Sequence, residues 1–437
     1  MPPTVAISCP ALGIRLDGSR PRFSPGDVVV GTIYRTAPTV APEARLTIKL
    51  HGKSEASMIL ARGMTHRDYY GQFNLIDSEA TTQVLVADKP LHIEPASEGT
   101  SWPFALTIPT RVNHESLIGP RICQRSAFLP LNPEEAAIQP LPSAFRSKGF
   151  RSGIGAFVEY VLEAELELRE RGKTRTSRAA LPLQVQQFLT EPPITDFQLQ
   201  RHSYNRKIIS QRLIPGLKDS GLSFTQMAQQ FIGSSKLPNF SFKVHVELPK
   251  RLQVENTNYM PLRIGIEPIW SQTSEIIHDV PQNIKLESLV MRLKPSMKLE
   301  CGELKACDSQ EIELISSAAV RGLSEEVFMS WGTLGPPDSK SRPEIEFIDV
   351  GGLLDFRLGR YNLGKLYPSF TTYNIQHTHR LSWEIRGVFD DEKMKLTASH
   401  DVTVLPPSHL EEEMLLVEDP PPSFAESQMT REARGNL

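Results

Sequence analysis

Hydrophobic and polar residues alternate along much of this chain with a period of two. Over residues 45–52, Leu46, Ile48 and Leu50 stand on one side, while Arg45, Thr47, Lys49 and His51 stand on the other. That spacing predicts a β-strand with one buried and one wetted face, as in an antiparallel sheet covering a core. The clearest run of this kind covers residues 157–169. There Val158, Tyr160, Leu162, Ala164, Leu166 and Leu168 alternate with Glu159, Val161, Glu163, Glu165, Glu167 and Arg169. Shorter strands are predicted at 5–16, 28–31, 56–61, 73–77, 83–87, 91–93, 102–109 and 180–188. A second series follows at 240–248, 261–268, 284–293, 345–350, 381–385 and 395–405. Many short strands with turns every ~8–12 residues are the pattern of a β-sandwich, here occurring twice.

Breaks in the pattern mark the organisation. Pro38 and Pro42 place a loop between the strands at 28–31 and 45–52. Residues 111–149 lack periodicity and read as a long surface excursion. Thr190-Glu191-Pro192-Pro193 is a composition break, after which 193–236 reads as a linker or insertion. Within it, Phe224, Met227, Ala228 and Phe231 share one side of a short helix over 222–232. Arg201, Arg206, Lys207 and Arg212 form a basic cluster with Tyr204, but no wider basic patch accompanies them in sequence, so they read as a solvated linker. From 408 onward, Glu411-Glu412-Glu413 and Pro420-Pro421-Pro422 give the composition of a disordered tail. The expectation is an all-β chain of two immunoglobulin-like β-sandwich domains in tandem, 1–192 and 237–407, with a disordered tail at 408–437.

Composition narrows the function classes. The chain has 437 residues, 39% hydrophobic and 23% charged, which suits a folded protein with more than one core. A net charge of −3 gives no electrostatic case for nucleic acid. Cys9, Cys123, Cys301 and Cys307 show no Cys-x-x-Cys spacing, so they read as reduced thiols of a cytoplasmic protein. No signal peptide and no transmembrane segment are expected.

Candidate chemistry is sparse. Glu163, Glu165 and Glu167 share a strand face, yet no His or Asp accompanies them in sequence, so they read as a solvated surface. His377-Thr378-His379 with Glu384 and His400 resembles part of a cupin metal motif but lacks its glycine framework. Gly149-Phe150-Arg151-Ser152-Gly153 has the wrong spacing for a nucleophile elbow, and no phosphate-binding loop is present. No catalytic residue, metal or cofactor is expected.

The order of several landmarks resembles the arrestin family, in particular the fungal arrestin-related trafficking adaptors. They are Phe23-Ser24-Pro25-Gly26-Asp27 with Val28 to Gly31, the strand ending Leu50-His51-Gly52, Trp102-Pro103-Phe104 and Val158-Glu159-Tyr160-Val161-Leu162. Late in the chain, Phe370-Thr371-Thr372-Tyr373-Asn374-Ile375 and Leu381-Ser382-Trp383 look like the family's last C-domain strands. The resemblance implies a non-enzymatic cytoplasmic adaptor, recruited peripherally to the plasma membrane or endosomes. It would bind membrane transporters or receptors and recruit a HECT-type ubiquitin ligase, marking the cargo for endocytosis. Recruitment would use a Pro-Pro-x-Tyr motif read by WW domains. This chain offers only Pro421, Pro422, Ser423 and Phe424, with Phe where the motif has Tyr. The lost hydroxyl hydrogen bond is worth about 0.5–1.5 kcal/mol, up to roughly tenfold in affinity. The alternative is an arrestin-fold sorting or signalling scaffold, of the retromer-subunit kind, that recruits no ligase.

Overall fold

A computed structural model describes residues 4–8, 12–18, 22–62, 65–77, 79–95, 99–113, 131–148, 153–170, 172–214, 237–280, 282–301, 304–329, 345–358, 366–389 and 392–408. These residues build an all-β protein of antiparallel sheets with two short helices, divided into two compact units. Unit 1 comprises 1–188, 295–310 and 367–378; unit 2 comprises 189–294, 311–366 and 379–437. Two stretches inside the expected second domain, 295–310 and 367–378, therefore belong to unit 1. Among the described residues no helix is long and apolar enough to cross a membrane.

Unit 1 begins with β1 (Gly13–Leu16), β2 (Val28–Arg35), β3 (Thr39–Arg62), β4 (Thr65–Asn74), β5 (Thr82–Ile93) and β6 (Thr100–Thr107). Helix α1 (Pro133–Ile138) then precedes β7 (Phe145–Lys148), β8 (Ile154–Glu170) and β9 (Lys173–Leu183). One sheet runs β1-β2-β6, the other β4-β3-β8-β7 with β5 on β3 and β9 on β8. Their inner faces share a core: Val29, Ile33, Phe104 and Leu106 from the first sheet, and Leu46, Ile48, Leu50, Tyr160 and Leu162 from the second. This is a β-sandwich, and the alternation over 45–52 and 157–169 marks its buried face.

Three expectations need correction here. Pro42 lies inside the 24-residue strand β3, not in a loop. It is accommodated where the register with β5 shifts between Ala41 and Ala44, an irregularity that removes the demand for a ladder N–H. The predicted strand at 56–61 is the continuation of β3. The excursion at 111–149 is partly built in: α1 is capped by Asn132 Oδ1, which accepts from Glu135 N, and β7 pairs with β8. Leu141 and Phe145 are buried.

Unit 2 starts at β10 (Leu199–Ile209), followed by β11 (Asn239–Pro249), β12 (Arg251–Gln253) and β13 (Arg263–Pro268). Next come β14 (Ile284–Cys301), β15 (Leu304–Ser309), β16 (Ile312–Ile315), β17 (Phe328–Met329) and β18 (Phe347–Asp349), then α2 (Val350–Leu353), β19 (Phe370–Thr371), β20 (Ile375–Phe389) and β21 (Glu392–Leu405). Of these, β15, β19, the end of β14 and the start of β20 lie in unit 1. Sheet β10-β11-β13-β18 presents Phe240, Phe242, Val244 and Ile264 to a separate core, met by Leu381, Trp383 and Ile385 of β20 and by Leu396, Val402 and Val404 of β21. Residues 199–209, read above as linker, are thus a regular edge strand paired with β11 over eleven residues. The linker reading failed because β10 is wetted along most of its length and carries little apolar signal of its own. The helix expected at 222–232 and the tail from 409 lie outside the described residues.

Candidate functional site

The Phe23–Asp27 segment is a turn whose residue types follow from its geometry. Gly26 adopts φ +96°, the left-handed region open to glycine. Asp27 Oδ2 accepts from Ser24 N at 2.7 Å, and Gly26 N and the Asp27 carbonyl both bond Ile108. Phe23 is buried and bridges Val185. These residues fix the strand β2 against β6, and the Ser24 hydroxyl is buried without a hydrogen-bond partner among the described residues.

The carboxylate row on β8 is not simply solvated. Glu163 accepts from His51 Nε2 at 3.0 Å and pairs with Lys49 at 3.5 Å, both on β3. The His51 hydrogen bond, with Lys49 adding a favourable charge, holds the Glu163 carboxyl down at about 2, against some desolvation. Glu165 binds Arg178 of β9 at 2.9 Å, and Glu159 binds Lys53 at 3.0 Å. A histidine therefore does accompany these carboxylates, supplied by the neighbouring strand. Glu159, Glu163 and Glu165 are thus matched by cations of neighbouring strands in a cross-strand ion-pair ladder, while Glu167 lies 3.8 Å from Arg169 of its own strand.

Deeper in unit 1 is a buried polar cluster that sequence reasoning missed. Asn374 is fully buried; its Oδ1 accepts from Ser54 Oγ at 2.7 Å and Thr372 Oγ1 at 3.2 Å, and its Nδ2 donates to the Gly71 carbonyl at 2.8 Å. Tyr373 is fully buried beside Phe73, and its hydroxyl donates to the Asn113 carbonyl at 3.1 Å. Cys301 lies in the same core, its thiol pushed up to about 12 by burial and then by the charge of Glu55. The sequence signal for it is slight: Asn374 stands between Tyr373 and Ile375 in an otherwise mixed stretch.

The histidines at 377, 379 and 400 do not converge on one site. His377 is buried among Phe145, Phe370 and Tyr367, and burial pulls its pKa down to about 4. Glu384 differs in parity from His377 and His379 and faces Arg386 and Lys395 instead. His400 Nδ1 lies 3.3 Å from His202 Nε2 of β10. Since His400 Nε2 donates to the Pro249 carbonyl at 2.8 Å, its neutral ring accepts at Nδ1, and His202 is the donor there. Burial lowers both pKa values, keeping the pair neutral. Among the described residues no group of three or more His, Cys, Asp or Glu is placed to hold a metal.

Another row, on the outward face of unit 2, was invisible in sequence. Ser203 Oγ is 2.8 Å from His245 Nδ1, and His245 Nε2 is 2.9 Å from Glu267 Oε2. Ser203 stands opposite His245 in the β10–β11 register, and β13 places Glu267 alongside. The contact order is that of a serine–histidine–carboxylate relay. Acyl transfer also requires preorganised donors aimed at an oxyanion. Of the neighbouring cations, Arg201 pairs with Glu247 at 2.7 Å, and Lys243 lies 3.7 Å from Glu267, the carboxylate of the row itself.

Pro421, Pro422, Ser423 and Phe424 lie outside the described residues. No protein-family model matches this chain, and no curated protein sequence matches it either.

Proposed function

We propose that this chain is a non-enzymatic, arrestin-like adaptor that binds cytosolic segments of membrane transporters or receptors and couples them to ubiquitination and endocytosis. The observation that supports this reading is the role of the landmark segments within an all-β sandwich. The Phe23–Asp27 turn, the alternating stretch ending at Gly52 and the 158–162 strand all form parts of one core and its closing turn. Peripheral recruitment to plasma membrane or endosomes follows from the adaptor role.

Phenylalanine at position 424 favours a second reading, a sorting or signalling scaffold of the same fold that recruits no ligase. Proximity labelling in cells separates the two. Transporters together with a HECT-type ligase among the neighbours support the adaptor, and endosomal coat subunits alone would sink it. A WW-domain pull-down adds a direct check: weak capture that rises with Phe424→Tyr ties the motif to recruitment, and no gain removes it.

A further inference from the structure

The basic residues read in sequence as an isolated cluster meet a second set of cations in the folded chain. In unit 2, Arg206 and Lys207 of β10 stand beside Lys393 and Lys395 of β21 around a cleft of about 130 Å³. Its apolar lining comes from Ile208, Phe242, Ile284, Phe389 and Met394, of which Ile208, Phe242, Ile284 and Phe389 are buried. Arg206 is held in place, donating to the Asn205 carbonyl at 3.0 Å and the Lys395 carbonyl at 3.2 Å, which leaves N–H groups free. Lys395 is paired with Glu384. Among the described residues Arg206, Lys207 and Lys393 have no acidic partner. Glu392 is the one acid among the residues lining the cleft, its carboxyl pKa raised by partial desolvation.

Charged side chains on edge strands commonly serve to discourage strand pairing. That role asks for charge alone and does not account for an apolar hollow beneath it. An occupant complementary to both would be acidic at its ends and apolar in its middle. The hollow has room for about one branched side chain, given that a cavity of ~150 Å³ admits benzene. One segment of this chain has that composition: Glu411-Glu412-Glu413-Met414-Leu415-Leu416-Val417-Glu418-Asp419.

Chain length decides whose segment it is. Lys395 and Leu405 are ten residues apart on β21, about 33 Å at the strand rise. Ser408 is buried past that end, its Oγ donating to the Glu191 carbonyl at 2.7 Å. From Ser408 the nine residues to Val417, the last apolar one of the segment, span at most about 32 Å, short of the cleft. We propose that the cleft of one copy receives the 411–419 segment of a second copy. Reciprocal exchange would close as a two-fold dimer. This inference is independent of the adaptor reading.

The test is sedimentation velocity of the full-length protein across a broad concentration range. Wild type is expected to self-associate. Lys207→Glu with Lys393→Glu should weaken association roughly tenfold or more, equivalent to about 1.4 kcal/mol. Glu412→Lys with Glu413→Lys should do the same, and all four changes in one chain should restore it. Unchanged melting temperatures exclude misfolding as the cause. A fluorescein-labelled synthetic peptide of residues 409–420 should bind wild type and lose affinity for the Lys207/Lys393 variant. A monomer at every concentration would overturn the proposal, as would cleft variants without effect. So would loss of binding to anionic phospholipid vesicles in those variants with no change in self-association.

Discussion

At the scale of single residues, burial and hydrogen bonding decide what each polar group can do. Asn374 satisfies Ser54, Thr372 and the Gly71 carbonyl at once. Replacing it by leucine leaves those partners without a counterpart in a fully buried site. Asn374→Leu is expected to cost about 2–4 kcal/mol, read as a lower melting temperature or denaturation midpoint. Histidine provides the pH dependence. His202, His377 and His400 all have lowered pKa values in the folded protein. The unfolded chain therefore binds protons more readily, and the stabilisation is complete above the ordinary imidazole pKa of about 6.5 and lost as pH falls towards the folded values, about 4 for His377. His377 alone should lose on the order of 2 kcal/mol between neutrality and about pH 5. Denaturant unfolding at those two pH values checks this, and His377→Gln should flatten the slope.

At the scale of elements, parity along a strand controls which side chains meet the core. Leu46, Ile48 and Leu50 are fully buried on β3, and Ala164 opposes Ile48 across the β3–β8 ladder. Ile48→Asp would put an unpaired charge at the centre of that ladder. A loss of several kcal/mol and failure to give soluble folded protein are expected, checked by thermal melting and expression level. Wild-type melting would mean that the buried face had been assigned wrongly. Alternation made this face legible in the sequence. It did not reveal β10, because an edge strand wetted on most of its residues has almost no apolar half to alternate. Nor did it reveal the His51–Glu163 or Ser203–His245–Glu267 contacts, since these join residues on neighbouring strands whose pairing no local pattern specifies.

At the scale of the whole molecule, the core of unit 1 is not continuous in sequence. Met297, Leu299, Cys301, Phe370, Tyr373 and Ile375 belong to the same cluster as Leu46 and Tyr160. A fragment ending at residue 192 would lack them together with Asn374. Such a fragment is expected to be unfolded or molten, with rapid proteolysis and no cooperative melting, although the sequence pattern suggests a complete domain there. Circular dichroism melting and limited trypsin digestion of residues 1–192 against the full chain test this. A cooperative transition in the fragment would show that the two late segments contribute little.

The sequence by itself determined the all-β class, the buried faces of β3, β8 and β11, and the turn at Phe23–Asp27. Each of these depends on side-chain period or on residue types that the local backbone demands. Tertiary structure decided what depends on strand pairing between distant residues. It set which late segments complete the first core, which cations match the Glu163 row, and how Arg206 and Lys207 come to share a cleft with Lys393 and Lys395. The physical reason is that a period of two fixes the side a residue faces, while its neighbours on that side are set by register and sheet order.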